Sequence, residues 1–473
     1  MKKSITLILV FCVIAVNAQI GNIDSVKLNV HIKKLMSKYN IPGASIAVLR
    51  NDSVVYSYSE SKNSDKKNYL IGSCSKSFTA LTILMLAEKG TIDLDKPVKS
   101  YLPWFTLKDT KNINQITVRH LLNQSSGIGS QYGFFDYKTK DDLVFKSKLT
   151  ELLATIELVN IPGIAFCYSN LNYLLLGLVV ESVTNEKYST YLTNNLFPRI
   201  GMKTTYAGLS AEILQKNSDP YQYYFFNQPF QTKFYPHSDY ALAFGYVSSN
   251  ISDLCVYLSF LMNHGITKNG DTLINAKSYE NLVTPVNGYY AMGWGKIKYN
   301  GFDMLIHTGL DENYSSVLSF SPESKIGVVV LSNINSLEFC SLAQSSIIDM
   351  LAQKSFFQPF SMELALRWIP DSLAIFTLLL LFLNFYRWKK YGLNMGFLFK
   401  VTATLRLILG IALSLLCIWL IQKTYGISIL AVINFEPDIV WGVLLIAFFG
   451  TLSSFARYFG TYAKEHNHSK LAV

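Results

Sequence analysis

The chain has 473 residues, of which half are apolar and only 16% are charged, and its net charge is +10. This length accommodates a large domain, or two, together with additional segments. The middle part, residues 19–368, is nearly balanced, with 31 basic and 28 acidic residues, whereas residues 369–473 hold nine basic and four acidic residues. The charge therefore gives no indication that the middle part binds nucleic acid.

The N-terminus reads MKKSITLILVFCVIAVNAQ, with a basic start, an apolar run over residues 5–16 and small residues before Gln19. This order is typical of a secretory signal peptide, here residues 1–18, cleaved after Ala18. The alternative is an uncleaved anchor helix. The apolar run is too short to span a bilayer comfortably, which favours cleavage.

The next segments alternate between strand and helix patterns. Apolar positions at helical spacing predict a helix over residues 24–39, and two β-branched runs around Asn51-Asp52 predict a hairpin. From Ser73 to about residue 287 the chain is mainly helical segments and loops, after which strand-like runs return before a closing helix at 337–354. We therefore expect an α+β domain in which strands from both ends form one antiparallel sheet, with a helical lobe inserted between them.

Three apolar stretches near the C-terminus, 372–388, 401–421 and 439–456, each approach the length of a membrane span. Basic residues follow the first and third stretches, so the positive-inside rule places those ends in the cytoplasm and agrees with export of the N-terminal part. The sequence predicts an extracytoplasmic domain (19–357), a linker (358–371) and a multi-pass membrane region (372–473). Within the linker, Ile369-Pro370-Asp371 is expected to break the helix pattern. Transport by this region has little support, since the charge inside its second stretch, Arg406, lies near the basic end.

Cysteine and histidine spacing gives no indication of a metal site. Six cysteines and seven histidines are scattered without ligand-type clusters, so no metal or other cofactor is expected. Cys74 and Cys167 adjoin two candidate site residues, which suggests a disulfide. However, neighbours of residues that face a common site point elsewhere, and buried free thiols are the preferred interpretation.

The stretch IGSCSKSFTA, residues 71–80, places Ser73 three residues before Lys76. On a helix beginning at Ser73 these positions share one face, and a buried lysine loses its charge and can accept the serine proton. Backbone N–H groups at the helix start could stabilise an oxyanion. A pattern with only two fixed positions is weak evidence by itself. The alternative is an ordinary helix start in which Lys76 is a solvated surface residue.

Two further fragments give this pair a context. FCYSN (166–170) and IHTG (306–309) follow IGSCSKS in the order of the three motifs of serine β-lactamases and penicillin-binding proteins. Over roughly residues 25–352 the chain resembles the class C-like branch of that family, which includes D-amino-acid peptidases and carboxylesterases. The resemblance implies a beta-lactamase/transpeptidase-like fold. The supporting stretches are KGTIDLDKPVKSYLP, TVRHLLNQSSGI, AMGWG and SFSPESKIGVVVLSN.

The resemblance also implies catalytic roles. Ser73 would be the acylated nucleophile and Lys76 the amine that shares its proton. Tyr168 would act with Lys76 as general base and then as acid toward the leaving group. Asn170 would hold Lys76 and the amide carbonyl of the substrate. The backbone N–H groups of Ser73 and Leu310 would form the oxyanion hole.

The expected substrate-binding residues are His307, Thr308, Gly309 and, by a looser match, Gln131. His307 departs from the family pattern, because β-lactamases usually have a lysine there. Histidine has an unperturbed pKa near 6.5 and can be neutral, so recognition of a carboxylate by a fixed positive charge is in question. The alternative is that His307 only supports its strand by hydrogen bonding.

The sequence thus predicts a membrane-anchored serine hydrolase that acts through an acyl-enzyme on an amide or ester. Its substrate would be a small molecule or peptide, such as a D-amino-acid peptide, and a peptidase or esterase is favoured over a strict β-lactamase. The alternative is a catalytically weak sensor or binding module of the cell envelope. An aromatic cluster at 221–230 either lines a cleft or packs within the lobe.

Overall fold

The structure is a computed structural model that describes residues 20–60, 66–133, 141–234, 238–286 and 288–391, with short stretches between 408 and 452. It has the α+β fold expected from the sequence. A seven-stranded antiparallel sheet has the strand order 53–59, 44–50, 326–332, 315–321, 302–310, 294–299 and 290–291, so strands from both ends of the domain meet where 44–50 pairs with 326–332. The predicted signal peptide, residues 1–18, lies outside the described residues.

The described strands have the following bounds: β1 Ala44–Arg50, β2 Ser53–Ser59, β3 Tyr69–Leu70, β4 Tyr221–Tyr224, β5 Gln228–Gln231, β6 Ser248–Ser249, β7 Tyr290–Ala291, β8 Trp294–Tyr299, β9 Phe302–Leu310, β10 Ser315–Ser321 and β11 Ile326–Ser332. The described α-helices are α1 Ser25–Tyr39, α2 Ser75–Glu88, α3 Val118–Leu122, α4 Asp142–Leu153, α5 Asn170–Thr184, α6 Tyr188–Tyr191, α7 Phe197–Ile200, α8 Ala211–Leu214, α9 Ile251–Met262, α10 Ala276–Val283, α11 Leu337–Leu351 and α12 Met362–Tyr391.

The N-terminal helix and hairpin confirm the sequence prediction. Asp24 caps α1 by accepting a hydrogen bond from the backbone N–H of Lys27, and Asn40 ends the helix in a left-handed conformation. β1 and β2 pair antiparallel on either side of a turn in which Asn51 has a φ of 55°. Asparagine tolerates this conformation better than most residues, which explains why the turn forms here.

The sheet is covered on both faces, so its central strands are apolar on both sides. In β11, Val328 and Val330 contact the layer formed by α1 and α11, whereas Val329 and Leu331 contact the helical lobe. Each fully buried side chain of this size stabilises the fold by about 1.5–3 kcal/mol. The same alternation runs through β1, which fixes the register of the β1–β11 pair.

The helical lobe lies between β3 and β7 in the sequence, as predicted. Its centre is formed by α2 and α5, which pack against each other and are buried on most of their surfaces. The predicted closing helix is α11, which packs on β10 and β11. The insertion brings the start of α2, the start of α5 and the end of β9 together.

The linker prediction is wrong in one respect. Pro370 does not break a helix, because α12 begins at Met362 and continues through Pro370 to Tyr391. Tertiary packing holds this turn: Gly442 lies against Pro370, and the Asp371 carboxylate accepts the backbone N–H of Phe226. Residues 362–371 therefore belong to the first apolar helix.

Among the described residues, α12 is long and apolar enough over Met362–Leu383 to cross a membrane. The second predicted span, 401–421, lies outside the described residues except for single positions. Of the third, 439–456, residues 439–446 and 448–450 are described as helical. The number of membrane helices therefore stays a prediction.

Candidate active site

Ser73 lies in a single 3₁₀ turn, Gly72–Cys74, and α2 starts two residues later than predicted, at Ser75. Gly72 has a φ of 51°, and a Cβ atom there would lie 2.3 Å from the backbone nitrogen of Leu310. A Cβ atom on Gly309 would lie 2.0 Å from the Ile71 carbonyl oxygen. These two glycines therefore allow the Ser73 turn to lie directly against the end of β9.

Lys76 is fully buried, and three oxygen atoms surround its amine. Nζ lies 2.9 Å from Ser73 Oγ, 2.7 Å from Asn170 Oδ1 and 2.7 Å from the backbone oxygen of Phe244. Burial lowers the pKa of Lys76 well below its usual value. A neutral amine has two N–H donors and one lone pair. Because the two carbonyl oxygens can only accept, they take both N–H groups, and the lone pair is left to accept the Ser73 proton.

Tyr168 completes the surroundings of Ser73 and Lys76. Lys76 Nζ lies 4.9 Å from the centre of the Tyr168 ring, and the Ser73 side chain interacts with the Tyr168 hydroxyl group. Although the residue as a whole is half-buried, its hydroxyl group is densely surrounded by protein, and this burial raises the pKa of Tyr168 above its ordinary range. The lowered pKa of Lys76 and the raised pKa of Tyr168 favour Lys76 as the base and Tyr168 as the proton donor.

Asn170 is the first residue of α5, and a buried glutamine holds the chain that leads to it. Gln124 Oε1 accepts hydrogen bonds from the Ser169 backbone N–H (3.0 Å) and from Asn172 Nδ2 (2.6 Å). The Gln124 backbone oxygen accepts the N–H of Cys167 at 2.7 Å. Gln124 thereby fixes the residues on both sides of Tyr168 and Asn170. Sequence reasoning missed it, although it lies within the supporting stretch TVRHLLNQSSGI.

His307 is buried on β9, and its hydrogen bonds define its protonation. Nδ1 lies 2.7 Å from the Thr308 backbone oxygen, which can only accept, and Nε2 lies 3.1 Å from the Tyr290 hydroxyl group. Nδ1 therefore carries a proton, and in the neutral ring Nε2 accepts from Tyr290. Burial, with a smaller contribution from Lys76, lowers the pKa of His307 to about 3. These contacts favour the interpretation of His307 as a neutral support for the strand.

At the C-terminal end of β9, one edge of the strand faces the turn that carries Ser73. β8 pairs with β9 from Phe302 to Ile306, whereas β10 pairs with β9 as far as Leu310. Residues 307–310 thus continue beyond β8, and the backbone nitrogen of Leu310 lies against Gly72. This geometry brings the two predicted oxyanion donors, Ser73 and Leu310, to the same place. It also brings Thr308 and Gly309 there.

Gln131 lies in a turn that approaches Asn170 through Gly133. It is exposed in the turn Ser130–Gly133, and its side-chain amide lies over Gly129. Among the described residues it forms no hydrogen bond with Ser73, Lys76 or Asn170. The predicted substrate contact of Gln131 therefore stays a prediction.

The turn after Leu310 carries two buried acids that sequence reasoning also missed. Asp311 accepts hydrogen bonds from the backbone N–H groups of Asn313 and Tyr314, and Glu312 accepts one from the Tyr246 hydroxyl group. Burial and the neighbouring Glu312 raise the pKa of Asp311 well above its ordinary value. None of the described residues placed above around Ser73 supplies a fixed positive charge.

The described part of the chain bears on the predictions for the cysteines and for a metal site. Cys74 and Cys167 are both free, so no disulfide links them, but Cys167 is half-buried rather than buried. Within the described residues no group of three or more histidine, cysteine or acidic side chains could hold a metal ion.

Comparison with known proteins assigns the family. The family model described as "Beta-lactamase" matches residues 28–345, which is more than half of the chain. The chain belongs to the beta-lactamase family. The match includes Ser73, Lys76, Tyr168 and His307, and it ends before α12.

Relatives of this beta-lactamase family chain include the protein Flp of Staphylococcus aureus strain NCTC 8325, which is 28% identical over 334 residues. That alignment covers 67% of this chain and 65% of Flp, so the chain spans less than two thirds of that relative.

Solved structures of similar fold include an octameric penicillin-binding protein homologue from Pyrococcus abyssi. Its TM-score is 0.61 at 25% identity, with 70% of this chain and 78% of that chain covered. A beta-lactamase/D-alanine carboxypeptidase from Pseudomonas syringae has a TM-score of 0.57 at 18% identity, with 71% and 99% covered. The latter likeness shows the fold alone.

Proposed function

We propose that this protein is a serine hydrolase that forms an acyl-enzyme on Ser73. The observation that carries this proposal is the environment of Lys76. Its buried amine lies 2.7 Å from two carbonyl oxygens, which can only accept hydrogen bonds, and 2.9 Å from Ser73 Oγ, and no acid pairs with it among these contacts. A lysine held in this way is a base, whereas a structural lysine would be paired with an acid.

The geometry supports the following reaction. Ser73 Oγ attacks the carbonyl carbon of the substrate as its proton passes to Lys76, and a carbon–oxygen bond forms. The resulting oxyanion is stabilised by the N–H groups of Ser73 and Leu310. The bond to the leaving group then breaks, and that group takes a proton from Tyr168, which recovers one from Lys76. Water hydrolyses the ester by the same steps in reverse, which frees Ser73.

The electrostatics support an amide or ester without a recognised carboxylate as the substrate. The family's usual lysine is replaced by His307, whose low pKa keeps it neutral. The turn that follows Leu310 offers two buried acids, Asp311 and Glu312, rather than a basic side chain. A peptidase acting on D-amino-acid peptides, or an esterase, therefore fits this site better than a strict β-lactamase.

The proposal includes a membrane anchor, α12, with the hydrolase domain outside the cytoplasm. Along this helix the exposed side chains are large and apolar, including Leu373, Phe376, Leu379, Phe382 and Leu383. A continuous apolar surface of this kind is unfavourable in water and suits the interior of a bilayer. The signal-like N-terminus and the basic segments after the apolar stretches support the orientation.

The test is the intact mass of the full chain after exposure to a fluorophosphonate and, separately, to a penicillin. We expect an adduct with the fluorophosphonate on the wild type and none on Ser73→Ala. Ser147→Ala, which removes an exposed serine from α4, is the matched control and should be labelled as the wild type is.

The two probes separate the alternatives. Labelling by the fluorophosphonate alone supports a peptidase or esterase. A stable penicillin adduct would mean that the site accepts a β-lactam carboxylate despite His307, which would contradict the proposed substrate class. A folded protein that neither probe labels would overturn the proposal and leave the sensor or binding module as the function.

A further inference from the structure

The hairpin formed by β4 and β5 has an unusual tip. Its three loop residues, Phe225, Phe226 and Asn227, have φ values of 22°, 56° and 59°. Left-handed backbone is unfavourable for residues with bulky side chains and costs about 1–3 kcal/mol for each. A conformation of this kind persists only where the surrounding structure holds it.

Two elements hold the tip. On one side lies the end of α1, where Tyr39 accepts a hydrogen bond from the Tyr223 hydroxyl group at 2.6 Å and Asn40 donates to the Asn227 backbone oxygen at 2.9 Å. On the other side is α12, where the Phe226 N–H donates to Asp371. The tip is therefore fixed at the level of Asp371 on α12.

The first turns of α12 are themselves part of the domain. Arg367 is buried, donates to the backbone oxygen of Asn335 at 3.1 Å and lies 4.2 Å from the centre of the Tyr223 ring. The Phe226 and Trp368 rings are 5.5 Å apart. The helix thus leaves the domain as a rigid continuation of it, and the hairpin marks the point of departure.

Although the hairpin is fixed in place, apolar side chains around this point are exposed. Phe225 is 45% exposed, Phe230 54%, Trp368 49% and Ile369 56%. We name these four residues the aromatic patch. Immediately beyond it, α12 continues from Asp371 to Tyr391, and its uncharged part, residues 372–386, is about 22 Å long before the basic residues at 387, 389 and 390.

From these observations we infer that the aromatic patch rests in the headgroup region of the bilayer and holds the hydrolase domain at a fixed height and orientation on the membrane. Tryptophan is enriched at the membrane–water interface, and phenylalanine is common on the membrane-facing side of segments that lie there. This inference rests on the proposed membrane anchoring by α12.

The contact would also connect the membrane surface with the site. Gln222 of β4 donates to the Glu312 backbone oxygen at 3.3 Å, and Asn313 donates to the Tyr221 backbone oxygen at 3.3 Å. Glu312 and Asn313 belong to the turn that follows Leu310. The hairpin therefore contacts both α12 and the chain that carries a proposed oxyanion donor.

The experiment uses the full chain in lipid nanodiscs, with an environment-sensitive fluorophore attached to single introduced cysteines and nitroxide-bearing lipids as quenchers. The test positions are Phe225→Cys and Phe230→Cys. Leu380→Cys on α12 reports on the bilayer. Leu143→Cys is the reference for a position in water, because Leu143 is highly exposed on α4. That helix packs against the core on one face of the sheet, whereas Tyr223 of the hairpin packs on the other face. The unmodified chain gives the labelling background.

We expect positions 225 and 230 to show blue-shifted emission that lipid nitroxides quench as they quench position 380, with position 143 unaffected. If 225 and 230 behave like 143 while 380 is quenched, the membrane contact is refuted and the anchor stands. If 380 is not quenched, the anchor and the contact fail together. If neither lipid nitroxides nor aqueous iodide quench positions 225 and 230, a protein covers the patch. That outcome also refutes the inference.

Discussion

At the residue scale, the site depends on the protonation states of a few buried groups. Burial lowers the pKa of Lys76 well below its usual value because it removes water from the amine, and the two carbonyl oxygens beside the amine carry no compensating charge. Tyr168 is kept protonated by the same loss of solvent. Opposite shifts on a base and an acid prepare both groups for proton transfer at neutral pH.

We predict that Lys76→Met, which keeps most of the buried volume without the amine, lowers the rate of fluorophosphonate labelling about 10²–10⁴-fold. The reason is that Lys76 is the described neighbour of Ser73 whose nitrogen lone pair can accept the Ser73 proton, and this substitution removes it. The rate is measured by intact mass over time, with thermal unfolding as a check on folding. Lys187→Met, an exposed substitution, is the control. Unchanged labelling of Lys76→Met would assign the base to another residue.

The pH profile tests the state of His307. Since Lys76 acts as a base only when neutral, activity should rise as pH increases through its lowered pKa. His307, with a pKa of about 3, should stay neutral from about pH 5 to about pH 8 and add no inflection there. We therefore predict acid limbs with the same midpoint for the wild type and His307→Gln. An inflection near pH 6.5 that only the wild type shows would mean that His307 titrates in the site.

The main residues of the candidate site were predictable from the sequence, but several of the groups that contact them were not. Ser73, Lys76, Tyr168 and Asn170 stand in short motifs, and the structure brings them together. The carbonyl oxygen of Phe244 could not have been found, because a backbone contact across 168 residues of chain leaves no side-chain signature.

At the scale of elements, the site depends on how closely the Ser73 turn approaches β9. The left-handed φ of Gly72 and its contact with Leu310 both exclude a side chain. The motif itself shows only a small residue before the serine. The packing of two separate elements is what requires glycine there.

We predict that Gly72→Ala lowers the labelling rate about 10²-fold, because a displaced turn misplaces both Ser73 and the neighbouring oxyanion donor. Gly90→Ala is the matched control. Gly90 also has a positive φ, 72°, but a Cβ atom there would meet nothing within 4 Å. The control should share the backbone destabilisation and keep the labelling rate. Equal loss of labelling in both variants would show that backbone strain, not the contact with β9, is responsible.

At the scale of the whole molecule, the base of α12 is built into the domain rather than joined to it by a flexible linker. Arg367 is buried beside Glu363, with 3.7 Å between their charged groups, and donates to Asn335 near the start of α11. The sequence motif Ile369-Pro370-Asp371 indicated a break at this point. Packing against the hairpin and Gly442 overrides that local preference.

We predict that Arg367→Met destabilises the full chain by about 3 kcal/mol, because it leaves the Glu363 carboxyl group buried without its partner. The double variant Arg367→Met/Glu363→Gln should recover part of this loss. Both are measured as changes in unfolding midpoint in detergent, with Lys354→Ala, at an exposed position after the end of α11, as the control. No recovery in the double variant would show that lost packing, not the unpaired acid, causes the destabilisation.

The sequence by itself determined the α+β class, the hairpin, the closing helix and the residues of the candidate site, because periodicity and short motifs are local properties of a chain. Only the tertiary structure decided the protonation of Lys76 and His307, the buried acids beside Leu310, the course of α12 through Pro370 and the place of the aromatic hairpin. Each of these depends on burial or on contact between segments distant in sequence, and such terms arise only when the chain is folded.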